Sequence, residues 1–225
     1  MSTKENNILI SPSIIAADLT TIGEQARTFD AGIVSLLHLD VMDGNFVPNL
    51  TFGPGFIGSL KKHTAIPLDV HLMIEKPERS IGEYLEIKPW VVTIHYESTR
   101  FPARILQQIR KAGVGAGIAI NPATPVESIF DLLPYADMAL VMSVDPGFYG
   151  QAFMEPAIGR IRKLAAHIRS VPGLSVRIQV DGGIGPDNIA RVVEAGADII
   201  VAGNAAFKGG DVNKNVRELR ARAGV

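Results

Sequence analysis

The chain predicts an α/β fold in which one (β/α)8 barrel domain takes up residues 1–225, and three observations carry that prediction. Eight short apolar runs alternate with amphipathic segments along the chain. Six of the amphipathic segments begin at proline, which suits the first turn of a helix, where a backbone N–H has no intrahelical acceptor. Helices between successive strands oblige those strands to run parallel, and eight βα units of this size close most naturally into a barrel. A doubly wound open sheet is the rival. It usually carries a glycine-rich turn after its first strand, whereas the first turn here reads Ser13-Ile-Ile-Ala-Ala-Asp18 and the glycine-rich turns come late. No linker or shift in composition marks a second domain.

Residues 1–7 are polar and are expected to be flexible; 8–15 form the first strand and 21–29 the first helix. Asp30-Ala-Gly-Ile33 leads into the second strand, 35–42, with Gly32 read as a helix C-cap. Alternate side chains of a strand share a face, so His38, Asp40 and Met42 point one way and Leu37, Leu39 and Val41 the other. A helix over 54–63 starts at Pro54 and delivers the third strand, 67–74, where the same alternation sets Asp69, His71 and Met73 against Leu68, Val70 and Leu72. Asp69 sits deeper than His71 and reads as a buried partner that orients a ligand. The helix 77–87 begins at Pro77, and the fourth strand, 91–97, ends in His95 and Glu97, taken as rim residues. A helix over 102–112 follows from Pro102 and ends at Lys111-Ala-Gly-Val114, ahead of the fifth strand, 115–121. Next come a helix 125–133 from Pro125, a strand 138–144 and a helix 156–171 from Pro156. The seventh strand, 176–181, brings Asp181 to its end ahead of two glycines. A helix 186–195 from Pro186 closes with Glu194-Ala-Gly-Ala197, then strand 198–202 and helix 212–223 complete the eight units. His63 and His167 fall on helical segments and read as solvated.

Composition narrows the function. Lys and Arg number 22 and Asp and Glu 23, so the chain lacks the concentrated basic charge that a nucleic-acid binder needs. With 47% hydrophobic residues it can bury a full core. Cysteine is absent, which excludes disulfides, thiolate nucleophiles and thiolate ligands, and leaves nitrogen and oxygen to hold any metal. No stretch has the apolar length of a membrane span, and residues 1–7 lack the apolar core of a signal peptide, so a cytoplasmic protein is expected.

In a barrel the carboxyl ends of all strands open at one face, where His38, Asp40, His71 and Asp181 would converge as an N2O2 set for one divalent metal ion. Strands 2 and 7 are three steps apart in a ring of eight, so Asp40 and Asp181 approach a bound molecule from different sides. Inverting a carbon beside a carbonyl needs a proton taken from one face and another returned to the opposite face. Two carboxyl groups of opposite protonation state do this. Met42, Met73 and Met142 would add a polarisable lining poor in water, or serve as core filler. Glycine loops at 145–150, 181–185 and 202–204 let backbone N–H groups crowd an anion, and the helix expected from Pro186 adds its positive end. A small anionic substrate is therefore compatible with a nearly neutral protein.

The segments His38-Leu-Asp-Val-Met-Asp-Gly-Asn-Phe-Val-Pro-Asn-Leu50, Leu68-Asp-Val-His-Leu-Met73, Met142-Ser-Val-Asp-Pro-Gly-Phe-Tyr-Gly-Gln151 and Val180-Asp-Gly-Gly-Ile184 closely resemble the ribulose-phosphate 3-epimerase family, across nearly the whole chain. The resemblance implies a TIM barrel of the ribulose-phosphate-binding type and interconversion of D-ribulose 5-phosphate and D-xylulose 5-phosphate in the pentose phosphate pathway. It assigns acid and base roles to Asp40 and Asp181, and zinc, iron, manganese or cobalt to His38, Asp40, His71 and Asp181. It also implies that Ser13 and His71 touch the sugar, that Gly147, Phe148, Tyr149, Gly150, Gly182, Gly183, Gly203 and Asn204 surround the phosphate, and that the protein is a homo-oligomer. Three positions depart from the commonest pattern of the family: Asp145 replaces asparagine, Tyr149 glycine and Asn204 serine. An aspartate at 145 is similar to relatives that epimerise D-allulose 6-phosphate, while Asp181-Gly-Gly-Ile-Gly-Pro-Asp-Asn188 is similar to the pentose enzymes. The rivals are thus an allulose-6-phosphate epimerase and a catalytically silent sugar-phosphate binder, against which the two opposed aspartates speak. A decarboxylase of related architecture would need a lysine among the strand-end carboxylates, and none is supplied.

Overall fold

The computed structural model describes residues 8–225, so the expectation for residues 1–7 lies outside the described part. Eight parallel strands form one sheet: β1 (Leu9–Pro12), β2 (Leu37–Met42), β3 (Leu68–Met73), β4 (Val91–His95), β5 (Gly115–Ile120), β6 (Met138–Met142), β7 (Arg177–Asp181) and β8 (Ile199–Ala202). Their order is β1-β8-β7-β6-β5-β4-β3-β2. A parallel bridge between Ser13 and His38, and a hydrogen bond from the Ser35 N–H to the Ile10 carbonyl at 3.2 Å, join β1 to β2 and bring the ring near closure. Each expected strand is present, shortened by up to three residues at an end.

Two layers account for the packing. Outward-facing Leu37, Leu39, Val41, Val70, Leu72, Val92 and Ile94 pack with the apolar stripes of the surrounding helices in one continuous core. Inside the ring, Leu36, Val91, Met138 and Ile199, with Leu9, form a separate apolar cluster. Beyond it the interior turns polar: Asp69 Oδ2 accepts from His38 Nδ1 at 2.7 Å, from Ser11 Oγ at 3.1 Å and from Gln179 Nε2. These residues come from β3, β2, β1 and β7 and are all fully buried. A carboxylate so far from water would cost several kcal/mol if unpaired; three donors on one oxygen offset that cost and lock four strands in register.

The helices are α1 (Ile22–Arg27), α2 (Pro54–Leu60), α3 (Ile81–Glu86), α4 (Pro102–Lys111), α5 (Pro156–Ser170), α6 (Ile189–Glu194), α7 (Asn204–Phe207) and α8 (Val212–Ala223). Pro54, Pro102 and Pro156 occupy the first helical turn as expected. Elsewhere the helical readings need correction. Residues Val126–Tyr135 wind as a 3-10 helix, with Pro134 in its last turn, where no backbone N–H is available. The helix expected from Pro186 begins at Ile189, because Asn188 Oδ1 accepts the Gly185 N–H at 2.9 Å and holds 185–188 as a turn. Gly113 and Gly196 do follow helices with positive φ, at 74° and 118°. Gly32 does not: α1 ends at Arg27, and the Asp30 carboxylate captures the Gly32 N–H at 2.8 Å in a separate turn. His167 is half-buried, stacked on Phe130 at 3.7 Å, and His63 packs beside Gly23, so neither is simply solvated.

Candidate active site

Period-two alternation in β2 and β3 turns His38, Asp40, Asp69 and His71 into the barrel, and the register pairs His38 with Asp69 and Asp40 with His71. From the far side, β7 ends in Asp181, whose backbone is held by the Ser143 N–H and by the Ser143 hydroxyl, 2.7 Å from the carbonyl oxygens of both Asp181 and Gly182. One ligand atom from each of His38, Asp40, His71 and Asp181 falls within 4.8 Å of the others. His71 Nδ1 lies 3.1 Å from Asp40 Oδ1 and 4.0 Å from Asp181 Oδ2; His38 Nε2 lies 3.2 Å from Asp40 Oδ1 and 3.8 Å from Asp181 Oδ2.

The donor set fits a divalent cation. His38 Nε2 is buried and has no aligned hydrogen-bond partner, while its Nδ1 is tied to Asp69. Asp69 thus orients that imidazole so that the free nitrogen faces the cluster, as its depth in the strand predicted. Two nitrogens and two carboxylate oxygens, with no sulfur, suit zinc, iron, manganese or cobalt.

Electrostatics separates the two aspartates. Burial and the neighbouring Asp40 charge push the Asp181 carboxyl up to about 7. Burial acts on Asp40 in the same sense, but His38 and His71 outweigh it and hold its carboxyl far below the usual range. Ser13 Oγ adds a donor to Asp40 Oδ2 at 2.5 Å. One site therefore presents an ionised carboxylate and a carboxyl able to carry a proton.

Both aspartates line a cavity of about 280 Å³, together with Ser13, Met42, Met73, Met142 and the glycine loops. All three methionines are buried in its wall. His71, expected also to touch the sugar, is fully exposed to neither solvent nor cavity: it lies buried behind Asp40 and is not among the lining residues. The opposite wall is made by Gly147, Phe148, Tyr149, Gly150, Gly182, Gly183, Gly203 and Asn204, the residues expected around a phosphate. Of the three departures from the family pattern, Tyr149 and Asn204 line the cavity, whereas Asp145 is exposed and does not. The Gly185 N–H is already taken by Asn188, so it is not free for an anion.

His95 corrects the sequence reading most. It is fully buried, stacked on His71 at 5.0 Å, and its Nε2 lies 2.8 Å from His71 Nε2. The parity of β4, with Val91, Thr93 and His95 on one face, was the available signal.

The sequence model of the Ribulose-phosphate 3 epimerase family matches residues 9–207. The chain belongs to that family. It is an epimerase, an enzyme of the isomerase class. A ribulose-phosphate 3-epimerase of Aquifex aeolicus (strain VF5) is 42% identical over 95% of this chain and 96% of its own. One from Rhodobacter capsulatus is 42% identical over 98% of both, and a chloroplastic ribulose-5-phosphate-3-epimerase of Arabidopsis thaliana is 39% identical over 96% and 78%. Among solved structures, a 3-keto-L-gulonate-6-phosphate decarboxylase from Vibrio cholerae superposes with TM-score 0.71 over 97% of this chain and 98% of its own. At 14% identity that likeness shows the barrel alone. No described helix of this family member is long and apolar enough to cross a membrane.

Proposed function

We propose that the chain interconverts D-ribulose 5-phosphate and D-xylulose 5-phosphate by proton transfer at C3 between Asp40 and Asp181. The observation that carries this reading is the pair itself: two carboxyl groups on strands three steps apart, lining one cavity. One aspartate removes the C3 proton while the other, protonated, delivers to the opposite face; the reverse reaction exchanges the roles. A divalent ion held by His38, Asp40, His71 and Asp181 would polarise the substrate carbonyl and offset the charge of the enediolate. Ser13 steadies Asp40, and the methionine walls keep water away from the carbanionic carbon. The glycine loops on the other wall seat the phosphate and so fix C3 between the two carboxyl groups.

The test is turnover of metal-loaded protein on ribulose 5-phosphate and allulose 6-phosphate side by side, with solvent deuterium followed into C3. Preference for the pentose is expected, since Asp145 stands outside the cavity. Tyr149, exposed at the mouth, favours the second reading, and a preference for the hexose would make it the residue that selects substrate. No exchange with either sugar would leave the silent binder.

Metal uptake should depend on pH with a definite sign. Burial disfavours a charged His38, but Asp69 and Asp40 outweigh it and hold that imidazole well above its usual value. Without metal, His38 and Asp181 both bind protons more tightly folded than unfolded. The stability they contribute is present at low pH and is lost as pH rises, for Asp181 between 3.8 and about 7 and for His38 above 6.5. Ligation requires the deprotonated forms, so metal affinity moves the opposite way. Zn2+ is expected to raise the melting temperature more at about pH 8 than at about pH 6. Equal increments in calorimetry at the two pH values would contradict this.

A further inference from the structure

A chain of side chains leads from the proposed metal cluster to the rim of the barrel, through two buried histidines to the exposed Glu97. His71 Nε2 meets His95 Nε2 at 2.8 Å, and His95 Nδ1 meets Glu97 Oε2 at 3.3 Å. The other oxygen, Glu97 Oε1, accepts the Asn121 N–H at 2.8 Å and the Thr124 hydroxyl. The two imidazoles stack with planes 25° apart, and Phe46 covers His95 from 4.8 Å. Nothing in the acid and base pair requires this chain.

Counting its protons fixes its direction. Glu97 is surrounded by donors, so it accepts at both oxygens and takes the Nδ1–H of His95. With its Nδ1–H given to Glu97, the His95 ring has Nε2 left to accept in the gap to His71. Two N–H groups cannot face each other at 2.8 Å and two lone pairs do not bond. The single proton in that gap therefore belongs to His71 Nε2. With a cation in the cluster, His71 is then left with its lone pair on Nδ1, the atom that faces Asp40 and Asp181; with no cation, the 3.1 Å contact between Nδ1 and Asp40 Oδ1 is a hydrogen bond that places a proton there.

We propose that Glu97, acting through His95, is a positioning residue that fixes His71 in the tautomer whose Nδ1 is free to bind the cation. This rests on the metal site proposed above. Asp69 does the same for His38 by direct contact; Glu97 does it through one intervening ring.

The substitution Glu97→Gln separates this role from a merely structural one. The Asn121 N–H and the Thr124 hydroxyl keep an oxygen at the Oε1 position, so the new NH2 group must face His95 Nδ1. It donates there, reverses both hydrogen bonds, and leaves His71 protonated at Nδ1. Glu97→Ala only admits water, which serves either direction. Zn2+ titration against a chromophoric chelator is therefore expected to show E97Q weakened about 10- to 100-fold and E97A weakened less. Nitrogen-15 spectra of the unaltered, Zn2+-loaded protein are expected to show His71 protonated at Nε2. A structural role predicts the opposite order, with the isosteric glutamine milder. E97Q binding Zn2+ as well as E97A or better, or His71 protonated at Nδ1 in the Zn2+-loaded protein, overturns the relay. Absence of Zn2+ binding by the unaltered protein overturns the metal site and the relay together, which distinguishes the two failures. The spectra decide by themselves if E97Q does not fold.

Discussion

Replacing Asp181 or Asp40 by asparagine is expected to lower epimerisation by about 10³-fold or more in both directions, because a positioned acid or base contributes roughly 10² to 10⁴ and each change also removes one of the proposed cation ligands. The more telling result concerns exchange without inversion. A variant that keeps one carboxylate still reaches the C3 proton of one epimer and can return it only to the face it came from. D181N is therefore expected to wash solvent deuterium slowly into C3 of one sugar and D40N into the other, with neither accumulating the opposite epimer. Exchange should be the slower where Asp40 is the surviving base, since its side chain is 6% exposed against 17% for Asp181. Deuterium at C3 followed by proton spectroscopy, together with product formation, measures both quantities. Near-normal epimerisation in either variant would sink the two-base account. Metal content must be measured alongside, because loss of the ion alone would suppress exchange from both epimers equally.

The cluster was legible in the sequence because β2 and β3 are otherwise apolar. In strands buried on both faces, a polar residue at every second position stands out, and period two then states which side chains share the barrel interior. Asp181 was legible because it ends a strand at two glycines. Asp69 was legible from the same parity as the partner of His38, but the other donors to Asp69 were not, since they arrive from strands distant in the chain. Gln179 and Ser11 reach Asp69 across 110 and 58 residues, and only the closed ring brings them together. His95 obeyed the same parity as His71 but was the only titratable residue within β4, and its stacking on His71 depends on register between strands. Errors in the helices have local causes that propensity does not weigh. Asp30 and Asn188 side chains take backbone N–H groups that a helix end was expected to manage, and α7 has four residues, too few to show a period.

Gly183→Ala is expected to disrupt the wall proposed to seat the phosphate and the stability of the barrel together. Gly183 has φ +63°, a conformation that costs an L-residue about 1–2 kcal/mol. The larger obstacle is space. A Cβ there would lie 2.4 Å from Phe153 N, 2.7 Å from Gln151 O and 2.9 Å from the Ala152 carbonyl carbon, all backbone atoms that no rotamer change can move. Relief requires the 145–154 loop to shift away from the β7 loop, and that loop carries Gly147, Tyr149 and Gly150 into the cavity. A destabilisation of roughly 3–5 kcal/mol follows, which for a chain of this size lowers the melting temperature by about 10 °C. Gly185 supplies the control on the same turn: its φ is not positive, and an added Cβ meets nothing nearer than Ala205 Cβ at 3.9 Å. G185A should melt within a degree or two of the parent, about 0.5 kcal/mol. G183A protein that remains folded at low temperature should show a raised KM for the phosphorylated ketose with deuterium exchange at C3 less affected at saturation, because Asp40 and Asp181 keep their places on β2 and β7. If G183A melted with G185A and bound substrate normally, the close approach of the two loops would not be what shapes the phosphate wall.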